Sequence, residues 1–226
     1  MPIYLHGREL DALLFDFDGT LVDASAAIVR SFQAAFRRRG LAVPDEAAVR
    51  RLIGYPLRDA FAHLAPEGEV ESLVEVYRAE FWQRSRDGAR LLPGARELLK
   101  AAAPVAFVGV VSSRSHRGVL DLLDYFRLRE TVHVIVAADD VSEPKPSPAP
   151  LLAALDRLGV APVRAAMIGD TPLDTAAGAT AGVLSVGVTT GSYSAAELAE
   201  AGADLVVTDL RELHAYCILS AEQGGR

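Results

Sequence analysis

The part of the chain after residue 92 alternates short apolar runs with segments of helical spacing, and this alternation constrains the fold more than any other feature. The apolar runs lie at residues 105–111, 132–137, 165–168, 183–188 and 204–207. Near-continuous apolar strands separated by helices are typical of a parallel sheet that is covered on both faces. We therefore predict an α/β fold with a Rossmann-like parallel sheet core.

One more strand precedes this region, and a long segment without strands separates the two. Residues 11–16 have the composition of a buried strand, whereas residues 24–86 contain apolar side chains at helical spacing, punctuated by proline and glycine into about four helices. We therefore predict an all-helical cap inserted after the first core strand. We expect the core to comprise residues 1–22 and 87–226 and the cap to comprise residues 23–86.

Composition excludes several classes of protein. The net charge of −7 over 226 residues argues against a nucleic-acid partner, which requires a basic surface. No apolar run approaches the roughly 20 residues of a membrane helix, so we expect no membrane partner. The single cysteine, Cys217, excludes an internal disulfide, and the first residues lack the apolar stretch of a signal peptide. A cytoplasmic location is the expectation.

Polar side chains follow three of the predicted strands. Asp16 and Asp18 end the first strand, Ser112 follows the run at 105–111, and Asp170 and Asp174 follow the run at 165–168. In open α/β sheets, ligands bind outside the carboxyl ends of the strands. We therefore expect these side chains to share one site. Taken alone, Asp174 is equally well explained as a helix cap, and Ser112 is better explained as a turn residue.

A lysine comes from a fourth strand end. The chain has only two lysines, Lys100 and Lys145, and Lys145 lies between two prolines that stiffen its backbone. Several converging carboxylates repel one another unless a cation lies among them, and hard oxygen ligands favour Mg²⁺. Acids beside Mg²⁺ and a lysine are suited to phosphoryl transfer.

Four segments, in order along the chain, resemble the motifs of the haloacid dehalogenase-like (HAD) hydrolase superfamily. They are Asp16-x-Asp18-Gly19-Thr20-Leu21-Val22-Asp23, Ser112 after an apolar strand, Lys145-Pro146-x-Pro148, and Gly169-Asp170-x-x-x-Asp174. The insertion resembles a C1 helical cap, and the end of the chain is similar to the phosphoglycolate-phosphatase-like branch. The resemblance implies the HAD fold and a Mg²⁺-dependent phosphatase acting on a small phosphorylated metabolite.

The resemblance also implies four catalytic residues. Asp16 would be the nucleophile that forms an aspartyl-phosphate, and Asp18 would protonate the leaving alkoxide and then activate water. Ser112 would hold oxygens of the transferring phosphoryl group, and Lys145 would offset the charge on Asp16 and the phosphate.

The implied metal ligands overlap with this set, and the implied substrate contacts extend it. Mg²⁺ would be held by Asp16, the backbone carbonyl of Asp18, Asp170, and Asp174 either nearby or through water. The expected substrate-binding residues are Thr20, Ser113, Arg114, Gly54 and Arg58. The last two lie in a predicted cap loop facing the core, where Arg58 would meet a carboxylate or second phosphate. The alternative is that Arg58 is a solvated helix residue.

Other branches of the superfamily fit less well. Haloacid dehalogenases lack the second acid of the first motif, and phosphonatases need a cap lysine, which residues 23–99 do not contain. Phosphomutases of this type commonly carry valine where this chain has Thr20. Phosphoglycolate is the first substrate to test, with a pyrophosphatase or sugar phosphomutase as the enzymatic alternatives. A catalytically inactive binding protein is the non-enzymatic one. Monomer and homodimer both remain open.

Overall fold

A computed structural model describes residues 3–66 and 68–223, and its centre is a six-stranded sheet in which all neighbouring strands are parallel. The strands are β3 (Ala12–Phe15), β6 (Phe107–Val111), β7 (Val134–Val136), β8 (Ala165–Gly169), β9 (Leu184–Val188) and β10 (Leu205–Val207). Their order across the sheet is β10-β9-β8-β3-β6-β7. The predicted parallel α/β core is confirmed.

Helices cover both faces of this sheet. The core helices are α5 (Ala95–Ala102), α6 (His116–Tyr125), α7 (Ala149–Leu158), α8 (Pro172–Ala181), α9 (Ala195–Glu200) and α10 (Leu210–Gln223). Successive side chains of a strand point to opposite faces. Leu13 accordingly packs in the cluster that contains Leu98 of α5 and Leu122 of α6, whereas Leu14 packs with Leu151 of α7.

Four helices form the insertion: α1 (Ser25–Arg38), α2 (Glu46–Arg51), α3 (Leu57–Leu64) and α4 (Val70–Arg84). They share an aromatic centre, in which the ring of Phe32 stacks on Phe61 at 4.3 Å and meets Tyr77 edge-on at 4.9 Å. Short antiparallel strands β4 (Val22–Asp23) and β5 (Arg90–Leu91) pair where the chain leaves and re-enters the core. This pairing supports the proposed division into core and cap.

An N-terminal hairpin is an element that the sequence pattern did not predict. Strands β1 (Ile3–Leu5) and β2 (Arg8–Leu10) pair through a turn in which His6 and Gly7 have positive φ. The strands have only three residues each, which is too short for a periodic pattern to be visible in the sequence. No helix in the described part of the chain is long and apolar enough to cross a membrane.

Candidate active site

The ends of three neighbouring strands bring the predicted polar residues together. Strands β8, β3 and β6 are adjacent and parallel, and they end directly before Asp170, Asp16 and Ser112. The hydrogen bonds between β3 and β8 continue one residue past the end of β3. There the backbone N–H of Asp16 donates to the carbonyl of Ile168 at 2.8 Å. Because parallel strands present their carboxyl ends at one edge, these side chains share a site as predicted.

Lys145 reaches this site from the loop after β7. Its ammonium donates to Asp16 Oδ1 at 2.7 Å, to Asp174 Oδ1 at 2.5 Å and to the carbonyl of Val111 at 3.0 Å. The residue is only 3% exposed. Burial alone would lower the pKa of Lys145, but the charges of Asp16 and Asp174 outweigh it and raise that pKa. The lysine is therefore a fixed positive charge against the two carboxylates.

Three buried carboxylates lie close enough to hold one cation. Oxygens of Asp16, Asp170 and Asp174 lie within 4.8 Å of one another. Burial, followed by the charge of Asp174, raises the pKa of Asp16 to about 7 despite the opposing effect of Lys145. Burial and the charge of Asp16 raise the pKa of Asp170 well above its ordinary value. One lysine therefore leaves excess negative charge in the site.

The donor set fits a divalent cation. Asp16 Oδ2 is buried and accepts no hydrogen bond from any residue in the described ranges, although buried carboxylate oxygens normally have a partner. A cation of the Mg²⁺ class, which prefers a few carboxylates together with water and phosphate oxygens, would offset the excess negative charge of the three carboxylates.

Asp170 is held in place by residues of two loops. The hydroxyl of Thr20 donates to Asp170 Oδ1 at 2.9 Å, and Thr20 is fully buried. A Cβ added to Gly19 or Gly191 would lie 2.2 Å or 1.9 Å from Asp170 Oδ2, so both backbones approach the carboxylate closely. Thr20 thus orients Asp170. This placement argues against the substrate contact that we predicted for Thr20. Gly191 was given no site role from the sequence.

Asp174 has the capping role that was its alternative interpretation. Its Oδ2 accepts from the backbone N–H and the hydroxyl of Thr171 at 3.0 and 2.7 Å, which forms a capping box at the start of α8. Both of its oxygens therefore have protein partners, and a metal contact through water stays a prediction. Thr171 was missed, although a threonine three residues before an acid is the usual signal for this cap.

Asp18 does not join the carboxylate cluster through its side chain. The guanidinium of Arg114 binds it with two hydrogen bonds, from Nε to Oδ2 at 2.8 Å and from Nη2 to Oδ1 at 2.5 Å. The Asp18 carboxylate is therefore committed to Arg114, and a metal contact of this residue would fall to the backbone carbonyl, as the resemblance implied. Ser112 accepts from the backbone N–H of Arg114 at 3.2 Å, and the adjoining Ser113 is half-buried.

The two predicted cap residues have different placements. Gly54 faces the core, since a Cβ there would lie 2.8 Å from Cγ2 of Thr171. Arg58 lies apart from the site, because its side chain is 65% exposed and pairs with Glu71 of the cap at 2.6 Å. This placement favours the alternative of a solvated helix residue and argues against the substrate contact predicted for Arg58.

A pocket opens beside Asp18 and Asp170, between core and cap. Arg50 of α2, Ile53 and the core residue Tyr193 also line it. The cap is fastened to the core at this point, because the hydroxyl of Tyr193 donates to the carbonyl of Arg51 at 2.8 Å and Arg51 pairs with Glu197 at 2.7 Å. Neither arginine of α2 was selected from the sequence, since arginines at a helix end are usually exposed.

Comparisons with known proteins agree with this geometry. A family model described as haloacid dehalogenase-like hydrolase matches residues 13–188. The chain is 33% identical to a phosphoglycolate phosphatase of Rhodospirillum rubrum over 89% of this chain and 88% of that protein. It is 33% identical to a pyrophosphatase, PpaX, of Halalkalibacterium halodurans over 77% and 81% of the two chains.

A solved structure has the same fold over most of this chain. It is a crystal structure from Bacteroides fragilis described as a putative haloacid dehalogenase-like hydrolase, with a TM-score of 0.83 and 28% identity over 90% of this chain and 99% of that one. The protein therefore belongs to the haloacid dehalogenase-like hydrolase family, as a phosphatase of its phosphoglycolate-phosphatase-like branch.

Proposed function

We propose that the protein is a Mg²⁺-dependent phosphatase that hydrolyses a small phosphomonoester through an aspartyl-phosphate on Asp16. One observation carries the proposal: Lys145 anchors Asp16 Oδ1, while Asp16 Oδ2 is buried without a hydrogen-bond partner among the described residues. An oriented carboxylate with one free oxygen is the arrangement that a nucleophile needs.

The first half of the reaction transfers the phosphoryl group to the protein. Oδ2 of Asp16 attacks phosphorus and forms an O–P bond while the ester P–O bond breaks. For this step Asp18 releases one of its two hydrogen bonds from Arg114, and the freed oxygen, protonated, gives its proton to the leaving alkoxide. Ser112 and the backbone N–H of Ser113 hold the phosphoryl oxygens, and Lys145 offsets their charge.

The second half returns the protein to its starting state. Asp18 accepts a proton from water, the water oxygen bonds to phosphorus, and the O–P bond to Asp16 breaks to release phosphate. The metal would be held by Asp16, the backbone carbonyl of Asp18 and Asp170, with Asp174 behind them. When bound, Mg²⁺ supplies positive charge next to the transferring phosphoryl oxygens.

The substrate we propose is small because the cap closes directly over the strand ends. Gly54 lies against Thr171, and Tyr193 holds α2 against the core. A closed cap excludes bulk water from the reacting atoms. Phosphoglycolate is the first ester to test, since a relative with 33% identity is named a phosphoglycolate phosphatase.

Phosphate release from a panel of small phosphate esters and pyrophosphate, with Mg²⁺ and with a chelator, tests this function. We expect Mg²⁺-dependent release with a preference for one ester. A preference for pyrophosphate would favour the activity named for the Halalkalibacterium relative. Isomerisation of a sugar phosphate without release would indicate a phosphomutase. No turnover by the folded protein would indicate a binding protein.

A further inference from the structure

One short segment of the core contacts both the carboxylate cluster and the cap. Residues 190–193, here called the bridging segment, lie between β9 and α9. All four of them line the pocket that opens between core and cap. The bridging segment is therefore placed between the site at the strand ends and the helices that cover it.

The first half of the bridging segment packs on Asp170. A Cβ added to Gly191 would lie 1.9 Å from Asp170 Oδ2, and one added to Gly19 would lie 2.2 Å from the same oxygen. The hydroxyl of Thr190 donates to the carbonyl of Gly19 at 2.6 Å, so it joins the two backbones that flank this carboxylate. Because packed groups transmit displacement, a rotation of the Asp170 carboxylate towards either backbone shifts the bridging segment.

The second half of the bridging segment binds the end of α2 in the cap. The hydroxyl of Ser192 donates to the carbonyl of Arg50 at 3.2 Å. The hydroxyl of Tyr193 donates to the carbonyl of Arg51 at 2.8 Å, and the guanidinium of Arg51 lies 4.6 Å from the centre of the same tyrosine ring. The last four carbonyls of a helix have no partner within it, so these two hydroxyls of the core complete the end of α2.

The other boundary contacts allow α2 to undock while the cap stays attached. The chain crosses between core and cap at the paired strands β4 and β5, and Arg86, just before β5, binds Asp121 of α6 at 2.5 Å. Helix α2 belongs to the middle of the insertion, and its own contacts with the core are to residues 192–197. The cap therefore has a docked and an undocked state that differ at the bridging segment.

We propose that the bridging segment couples the metal site to the cap. The proposal rests on the proposed function, which places Mg²⁺ at Asp170. A cation there would hold the carboxylate in the position against which Gly191 packs, and so favour the arrangement of the segment that binds α2. Because coupling between two sites is reciprocal, docking of α2 raises the affinity for Mg²⁺ by the same factor. Ser192 and Tyr193 are thus positioning residues, which act on the metal site through Gly191.

Hydrogen exchange of the full chain tests the coupling without turnover. Mg²⁺ alone, compared with chelator, is expected to slow amide exchange in the peptide that covers α2 by about fivefold or more, the lower end of typical coupling between sites. The peptide that covers α3 is the internal reference for a general stabilisation of the cap. An unchanged exchange rate in α2, when calorimetry shows that Mg²⁺ is bound, would overturn the proposal.

Calorimetry with Mg²⁺ alone measures the reciprocal effect. Tyr193→Phe removes the hydroxyl that binds α2, and it is expected to raise the Kd for Mg²⁺ by about two- to tenfold, as for the loss of one hydrogen bond. A residue that only fastened the cap would change KM for the ester and leave this Kd unchanged. The matched control is Tyr125→Phe, since Tyr125 is half-exposed and lies under Arg86 at the same boundary. We expect wild-type affinity for Mg²⁺ in this control.

The double variant Ser192→Ala/Tyr193→Phe, which removes both hydroxyls, is expected to bind Mg²⁺ more weakly than either single variant. A wild-type Kd in this double variant would refute the coupling. In a chain that releases phosphate with Mg²⁺, that result would leave the proposed function standing and overturn the coupling alone. A wild-type chain that binds no Mg²⁺ in calorimetry would instead overturn the metal site of the proposed function, and the coupling with it.

Discussion

The ammonium of Lys145 donates a 2.7 Å hydrogen bond to Asp16, a residue 129 positions earlier in the sequence. The same ammonium contacts Asp174 at 2.5 Å, so one cation joins carboxylates from two strand ends. The contact fixes one oxygen of Asp16 and leaves the other free. It is therefore part of the folded structure and, in the proposed mechanism, the contact that prepares Asp16 as a nucleophile.

Lys145→Met is expected to lower stability and activity together, because it leaves Asp16 and Asp174 buried without their cation. Removing one partner of a buried ion pair costs about 3–5 kcal/mol of unfolding free energy. Urea unfolding measures this loss, and phosphate release is expected to fall by at least about 100-fold. The control is Lys100→Met, which removes the other lysine from an exposed position on α5. If the two variants behave alike, Lys145 has no special role.

Asp16→Asn is expected to abolish hydrolysis while making the metal-free chain more stable near pH 8. The pKa of Asp16 rises from 3.8 to about 7 on folding. Between these values the unfolded chain has lost the proton that the folded chain retains, so stability falls as pH rises. Above a pH of about 7, the folded chain bears the full free-energy cost of a buried, ionised Asp16. Asparagine is neutral at every pH and removes this cost.

Thermal unfolding at about pH 5.5 and about pH 8 checks the sign of this effect. With chelator, Asp16→Asn should unfold at a higher temperature than wild type at the upper pH and differ less at the lower one. If Mg²⁺ binds the ionised carboxylate of Asp16 as proposed, its stabilisation of wild type should grow with pH and be weak in the variant. Equal stabilisation of both chains by Mg²⁺ would contradict the assignment of Asp16 as a ligand.

Gly19→Ala is expected to reduce activity far more than its backbone strain would explain. Gly19 has φ +94°, and a Cβ there would lie 2.2 Å from Asp170 Oδ2, so the carboxylate must move. The control is Gly159→Ala, at φ +67° with nothing within 4 Å of the added Cβ. Both variants pay about 1–2 kcal/mol for a left-handed alanine. Only Gly19→Ala should also raise the Mg²⁺ concentration needed for half-maximal phosphate release.

Glu197→Gln is expected to weaken closure of the cap. Glu197 pairs with Arg51 of α2 across the core–cap boundary, and this pair, together with hydrogen bonds from Ser194, lowers the pKa of Glu197 to about 2. Exposed ion pairs are weak and screened by salt, so we expect KM to rise only about two- to fivefold, with the difference from wild type disappearing in high salt. Glu71→Gln breaks the pair with Arg58 within the cap, and it should change neither KM nor the dependence of KM on salt.

The residues at the strand ends were predictable because the strands of a parallel sheet appear in the sequence as apolar runs that alternate with helices. The apolar run before Asp16 and the helix after Asp170 place both residues at the carboxyl edge without any knowledge of tertiary contacts. Lys145 was identified because lysine is so rare in this chain. The four cap helices were predictable from the spacing of their apolar residues.

The contacts that depend on long-range packing were not predictable. The pairing of Arg114 with Asp18 joins residues 96 positions apart, and no local pattern specifies which acid an arginine will meet. The same limit applies to Arg58, since the sequence does not say which face of α3 turns towards the core. Thr20 is part of the motif that carries Asp16, yet only the structure shows that its hydroxyl donates to Asp170.

Mass spectrometry of the acid-quenched protein during turnover tests the central claim most directly. We predict that, with Mg²⁺ and a small phosphomonoester, the peptide containing Asp16 gains the mass of one phosphoryl group and loses it once the ester is consumed. Asp16→Asn should show neither the mass gain nor phosphate release. Phosphate release at the wild-type rate by Asp16→Asn, or a phosphoryl group on any other residue, would contradict the account.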